Sequence, residues 1–229
     1  QATRNKIDQI IQGPISAEAI LFLINAVYFK GDWTYPFDES NTREQPFRLA
    51  DGTVKLHPMM TQKRKFPYLE NEQFQAVKLP YGNKKMSLAI FLPKEGTDLS
   101  EWHRRLNAEE WEQWMNGFRS TEGTVELPKF TLKYESSLKD ALVALGMDTA
   151  FDRDNADFSG MAETPPNVFL QDVKHKTFME VNEKGTEAAA VTVVEAGAAS
   201  AAPPERPFHM KVDRPFFFAI VEERQGAIL

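Results

Sequence analysis

The sequence predicts a mixed α+β fold in which strands dominate. Three observations point there. Short apolar or alternating runs recur along all 229 residues, each closed by Gly, Pro, Asn or Asp. Only two stretches carry helical spacing. The hydrophobic share of 42% and the charged share of 26% are those of an ordinary packed domain.

The first apolar run is AILFLINAVYFK, residues 19–30, ended by Gly31 and Asp32 and followed by Trp33. A near-continuous run suits a strand covered on both faces, although a buried helix has the same composition. Asn25 interrupts it, and a buried amide needs a hydrogen-bond partner or costs about 1–3 kcal/mol. Within residues 66–93, FQAVKLP and MSLAIFLP read as two strands joined by YGNKK, whose Gly82 and Asn83 supply hairpin turn chemistry. Residues 99–115 read as one helix with Ser100 as its N-cap and Trp102, Leu106 and Trp111 among its apolar positions. Residues 124–134 alternate as a strand, and Pro128 marks an edge or bulge. Residues 137–145 read as a short helix with a stripe of Leu138, Leu142 and Leu145, capped by Ser137 and ended by Gly146. Strands return at 168–182, 206–212 and 215–223, and residues 226–229 look like the start of another. No internal repeat is present.

Several function classes are excluded or weakened. The net charge of −6 argues against nucleic-acid and anionic-membrane partners. No apolar run approaches the roughly 20 residues of a membrane helix. The absence of Cys removes disulfides, thiolate catalysis and Cys-based metal sites. Ser136 and Lys139 fit an S-x-x-K spacing, with Lys184-Gly185-Thr186 as a loose second box, but the Gly–Thr order is inverted and no S-D-N triplet exists. Asp152, Asp154 and Glu163 fall at calcium-loop positions 1, 3 and 12, yet Asp157 stands where the turn needs Gly. His57, His103, His175 and His209 are scattered. The residues therefore offer no catalytic group, no metal site and no cofactor site.

Residues 183–202, EKGTEAAAVTVVEAGAASAA, combine the composition of a loop with the pattern of a strand. The even positions Thr186, Ala188, Ala190, Thr192, Val194, Ala196 and Ala198 are small and uncharged, while Glu183, Glu187 and Glu195 are all odd. A one-residue slip would bury the carboxylates, so the register is specified. Every amide up to Pro203 could join a ladder. A flexible Ala-rich linker is the plainer reading of the same residues.

Several ordered segments resemble one family, the serpins. They are HKTFMEVNEKGTEAAAVT, FLINAVYFKGDW, LPYGNKKMSLAIFLP, VELPKFTLKYESSLKDALVALGM, AFDRDNADFSGM and DRPFFFAIVEERQGAIL, and together they cover essentially the whole chain. The resemblance implies a serpin fold: a large central β-sheet, two smaller sheets and an exposed reactive-centre loop at 183–202. It implies a single domain, 1–229, with a preceding helical part and a last strand outside this sequence, so that the missing N-terminal part would be a partner. It also implies an inhibitor of serine proteases rather than an enzyme. The protease would cut the loop and form an acyl-enzyme. The cut loop would then insert into the central sheet and trap the protease, with the even face packing inward. Ordering about 12 residues costs on the order of 12–24 kcal/mol, roughly what the new contacts return, so insertion would draw on strain stored in the uncut state.

Carried over residue by residue, the bait bond falls at Ala199-Ser200 and the hinge at Gly185, Thr186, Glu187, Ala188, Ala189 and Ala190. Small residues flank the cut in any nearby register, which favours elastase-like or subtilisin-like targets. Asn25 and His175 match a hydrogen-bonded pair where the sheet must open. Lys129 and Glu183 match an ion pair at the loop's entry, and Trp33 matches an aromatic residue at the point of first insertion. The resemblance favours a secreted, extracellular protein. The competing class is a non-inhibitory serpin with a carrier, chaperone or storage role.

Overall fold

The computed structural model describes residues 21–161, 168–186 and 206–229. The strands are β1 (Leu21–Tyr28), β2 (Gly31–Asp32), β3 (Arg43–Arg48), β4 (Val54–Glu70), β5 (Phe74–Tyr81), β6 (Met86–Pro93), β7 (Arg119–Pro128), β8 (Phe130–Ser137), β9 (Leu170–Val181), β10 (Gly185–Thr186), β11 (Phe208–Lys211) and β12 (Phe217–Glu222). The helices are α1 (Leu99–Arg105), α2 (Ala108–Gly117), α3 (Lys139–Leu142) and α4 (Asp148–Phe151). The chain forms two compact units, one drawn from Gln1–Phe29 and Thr131–Met179, the other from Lys30–Phe130 and Glu180–Leu229.

The second unit is built on a seven-stranded sheet in the order β11-β7-β4-β5-β6-β12, with β3 paired to β4 beside this path. Strand β4 is its spine. Its first residues pair with β3, its middle with β7 and its end with β5, all antiparallel. The β5–β6 hairpin forms as its turn residues predict, with Gly82 at φ 43° and Lys84 at φ 67°. One face of the sheet carries an aromatic core of Phe74, Phe91, Trp102 and Trp114 with Ala76, Ala89, Ala219 and Val221. Trp102 and Trp114 stack at 5.3 Å, and Phe74 meets Trp114 edge-on at 4.8 Å. These contacts fix α1 and α2 on the sheet.

The first unit holds a three-stranded sheet in the order β1-β9-β8. Strands β1 and β9 are direct parallel neighbours: after a bulge that follows Leu21↔Leu170, the register runs unbroken from Phe22↔Asp172 to Tyr28↔Phe178.

Several expectations are corrected. Strand β1 is not covered on both faces: Leu23, Ile24 and Val27 are 46%, 48% and 40% exposed, and Asn25 is exposed rather than buried. The single helix over 99–115 is two helices. The Asp98 carboxylate accepts from the Ser100 and Glu101 amides, so Asp98, not Ser100, is the cap; extended Asn107 then caps α2 by accepting from Glu110 N. The strand over 124–134 is two strands that part at Lys129, because β7 pairs in the seven-stranded sheet and β8 in the three-stranded one. Ser137 ends β8 rather than opening a full helix; α3 is four residues long and passes into a wide turn at Val143–Met147. Gly146, at φ 94°, breaks the helix as expected, but Leu145 is 81% exposed. Strands β3 and β4 were not anticipated. The charges and prolines of REQPFR and VKLHPMMTQKRKFPYLE hide two strands, β3 paired to β4 alone and β4 paired to β3, β7 and β5 in turn.

Candidate functional site: the anchorage of the loop

The chain reaches the segment expected to be the hinge through a tight turn at Asn182–Gly185. Asn182 and Gly185 exchange backbone hydrogen bonds of 3.0 and 3.2 Å, and Asn182 Oδ1 accepts from the Lys184 amide at 3.0 Å. Gly185 has φ 139°, and a Cβ there would collide with Gly31 O, Asp32 Cα and Trp33 N. Only glycine lets β10 approach β2 in the register Gly185↔Asp32, Thr186↔Gly31.

Glu183 lies at the centre of this turn and is buried, 5% exposed. Lys129 Nζ meets its Oε2 at 2.8 Å, and Thr42 Oγ1 donates to Oε1 at 2.8 Å. Its carbonyl accepts from Phe37 N at 2.8 Å. Burial works against its charge, but the hydrogen bonds from Lys129 and Thr42 prevail, and the carboxyl is held below its ordinary value of 4.5.

Lys129 is the lone residue between β7 and β8, and β4 grips its peptide on both sides. Its N–H donates to Pro58 O at 3.0 Å, and its carbonyl accepts from His57 Nε2 at 2.5 Å. Trp33 is also buried. It stacks on Tyr81 at 4.5 Å and meets Phe37 edge-on at 6.3 Å. Its indole N–H donates to Asn182 O at 2.8 Å and its backbone N–H to Lys184 O at 3.0 Å. Trp33, Lys129 and Glu183 therefore converge on one turn.

Asn25 and His175 belong to the other unit and lie opposite each other in the β1·β9 ladder. Asn25 Nδ2 donates to His175 Nδ1 at 3.2 Å, which leaves Nε2–H to donate to Thr177 Oγ1 at 3.0 Å. Of the hinge, Gly185 and Thr186 are described in backbone; Glu187, Ala188, Ala189, Ala190 and the Ala199-Ser200 bond lie outside the described residues.

Ser136 Oγ donates to Ser137 O, while the Lys139 ammonium sits over the Phe151 ring at 5.5 Å. The Asp152 carboxylate is turned onto its own loop, accepting from Asn155 Nδ2 and the amides of Asp154 and Asn155, which hold its pKa down. Glu163 lies outside the described residues, and among those described no three metal-ligating groups cluster. Thr42, Phe37, Asn182 and His57 were not anticipated. Only Asn182, an Asx-turn residue ahead of Lys184-Gly185, carried a local signal.

A profile of the serpin (serine protease inhibitor) family matches residues 1–229, and the chain belongs to that family. An uncharacterised serpin-like protein of Thermococcus kodakarensis is 38% identical over 229 residues, which are 100% of this chain and 52% of that protein. The leukocyte elastase inhibitor of Xenopus laevis is 36% identical over 236 residues, covering 100% of this chain and 61% of the inhibitor. The structure of human thyroxine-binding globulin matches with a TM-score of 0.85 at 28% identity, covering 100% of this chain and 59% of that one. The chain thus spans about half to three-fifths of the length of these relatives. Its fold is that of the serpins.

Proposed function

We propose that this chain carries the reactive-centre loop of a serine protease inhibitor that acts as a suicide substrate. The carrying observation is the anchorage at the loop's base. Glu183 is buried and ion-paired with Lys129, and the chain leaves it through a glycine that no other residue can replace without strain. Such an anchorage holds one end of the small-residue segment fixed while the rest is presented to a protease. The even face from Thr186 to Ala198 suits burial as a strand once the loop is cut. Ordered insertion of this kind is a known serpin switch.

In this reading the bait bond is Ala199-Ser200, and the target is a serine protease with a shallow primary pocket, elastase-like or subtilisin-like. The name of the Xenopus relative, leukocyte elastase inhibitor, supports that class. Glu187, Ala188, Ala189 and Ala190 serve as hinge with Gly185 and Thr186. Asn25 and His175 hold β1 to β9 until insertion, and Trp33 marks where insertion begins. The loop belongs to a serpin domain completed by a further N-terminal part of the protein.

The test is incubation with an elastase-like protease. A covalent complex that survives SDS is expected. Clean cleavage in the loop with no complex would overturn the inhibitory reading and favour the second one, a carrier role, which the match to thyroxine-binding globulin supports.

A further inference from the structure

An open pocket of about 140 Å³ lies in the sheet unit, lined by Phe47, Pro128, Phe130 and Phe216 and edged by Lys55 and His57. Its walls come from four places in the chain. Phe47 and Lys55 face each other across the β3·β4 ladder, and His57 follows two residues along on the same face of β4. Pro128 closes β7 and Phe130 opens β8. Phe216 precedes β12, and its ring lies 5.8 Å from that of Phe130. Three phenylalanine rings border the pocket, and their faces and edges are the surfaces against which a further aromatic ring packs.

Its polar edge is of one kind. The lining carries an ammonium and an imidazole and no carboxylate. Lys55 is exposed and is the one lysine of the lining. His57 donates through Nε2 to Lys129 O, so the neutral ring leaves Nδ1 as its second polar atom. A ring alone would satisfy the phenylalanines and leave the ammonium unused; an amine would meet like charge. A ring bearing one carboxylate matches both parts.

We propose that this pocket is a binding site for a small aromatic monocarboxylate, the ring among Phe47, Phe130 and Phe216 and the carboxylate toward Lys55. The site shares His57 with the grip on Lys129, whose side chain holds Glu183. A ligand seated there is linked to Glu183 only through His57 and Lys129. The binding does not depend on inhibitory activity, so the two stand or fall separately.

The experiment titrates the complete protein with benzoate, benzylamine and toluene, followed by calorimetry and by amide NMR shifts. Benzoate is expected to bind roughly tenfold more tightly than benzylamine, the preference arising from one partly screened charge. Its binding should shift the amides of His57, Lys129 and Glu183. Lys55→Glu, at an exposed position that leaves folding intact, should reverse the order so that benzylamine binds better. Equal binding of the three probes, no saturable binding of any, an unchanged order in Lys55→Glu, or shifts confined to other residues would each overturn the proposal.

Discussion

Glu183 stabilises the anchorage only while it is ionised. Its carboxyl is held below the ordinary value, so its contribution is complete above that value and disappears as pH falls through the lowered one. Wild-type protein should therefore lose melting temperature on acidification more steeply than Glu183→Gln. At neutral pH the variant should melt lower, because Lys129 and Thr42 lose a charged partner. Thermal melts at stepped pH check both, and parallel curves for the two proteins would exclude the ion pair as the source. Gly185→Ala tests the backbone instead. The added Cβ meets Gly31 and Trp33 backbone atoms at a φ that disfavours it, and about 1–3 kcal/mol should be lost in urea unfolding. At this scale the sequence was uneven as a guide. The Asn25–His175 and Lys129–Glu183 pairs were legible only through family resemblance, since no spacing rule links residues 150 or 54 positions apart. Thr42 was illegible even so, because a lone Thr in a polar loop carries no sign of a buried partner 141 residues away.

Elements were legible where one local signal dominated. The β5–β6 hairpin has turn residues between two apolar runs, and both strands form where that pattern puts them. Strand β4 has no such signal. Its buried positions, Met59, Met60, Phe66 and Tyr68, are scattered among Lys, Arg and Gln and follow no single period, while its partner changes twice along its length. The helix over 99–115 divides because Asn107 offers the backbone a cap in mid-run, a choice that the Trp and Leu spacing does not reveal. The aromatic core predicts which substitution harms the sheet most. Phe91 is fully buried against Trp102, Trp111, Trp114 and Phe217. Phe91→Ala should cost about 3–5 kcal/mol in denaturant unfolding, whereas truncating exposed Leu145 should cost little. At β11, Gly123 lies against the Phe208 ring with no room for a Cβ. Gly123→Ala should loosen β11 from β7, read as faster proteolysis at 206–211.

For the molecule as a whole, the inhibitory reading makes stability depend on whether one bond is cut. If the uncut chain stores strain that insertion releases, cleavage near Ala199-Ser200 should raise the melting temperature of the complete protein, and an unchanged melt would remove the driving force from the mechanism. Ala199→Arg should redirect inhibition toward trypsin-like proteases, measured as association rates against elastase and trypsin; no change in preference would move the bait bond elsewhere.

The parallel ladder between β1 and β9 carries a consequence for timing. Its backbone amides stay protected from deuterium exchange as long as the two strands touch, and in the proposed mechanism insertion would separate them from Leu21 to Tyr28. Exchange at those positions therefore reports how often the sheet parts before any protease arrives. A chain in which the Asn25–His175 contact is removed should exchange faster there than elsewhere, and it should insert its own loop sooner, ageing into an inactive form without ever being cut.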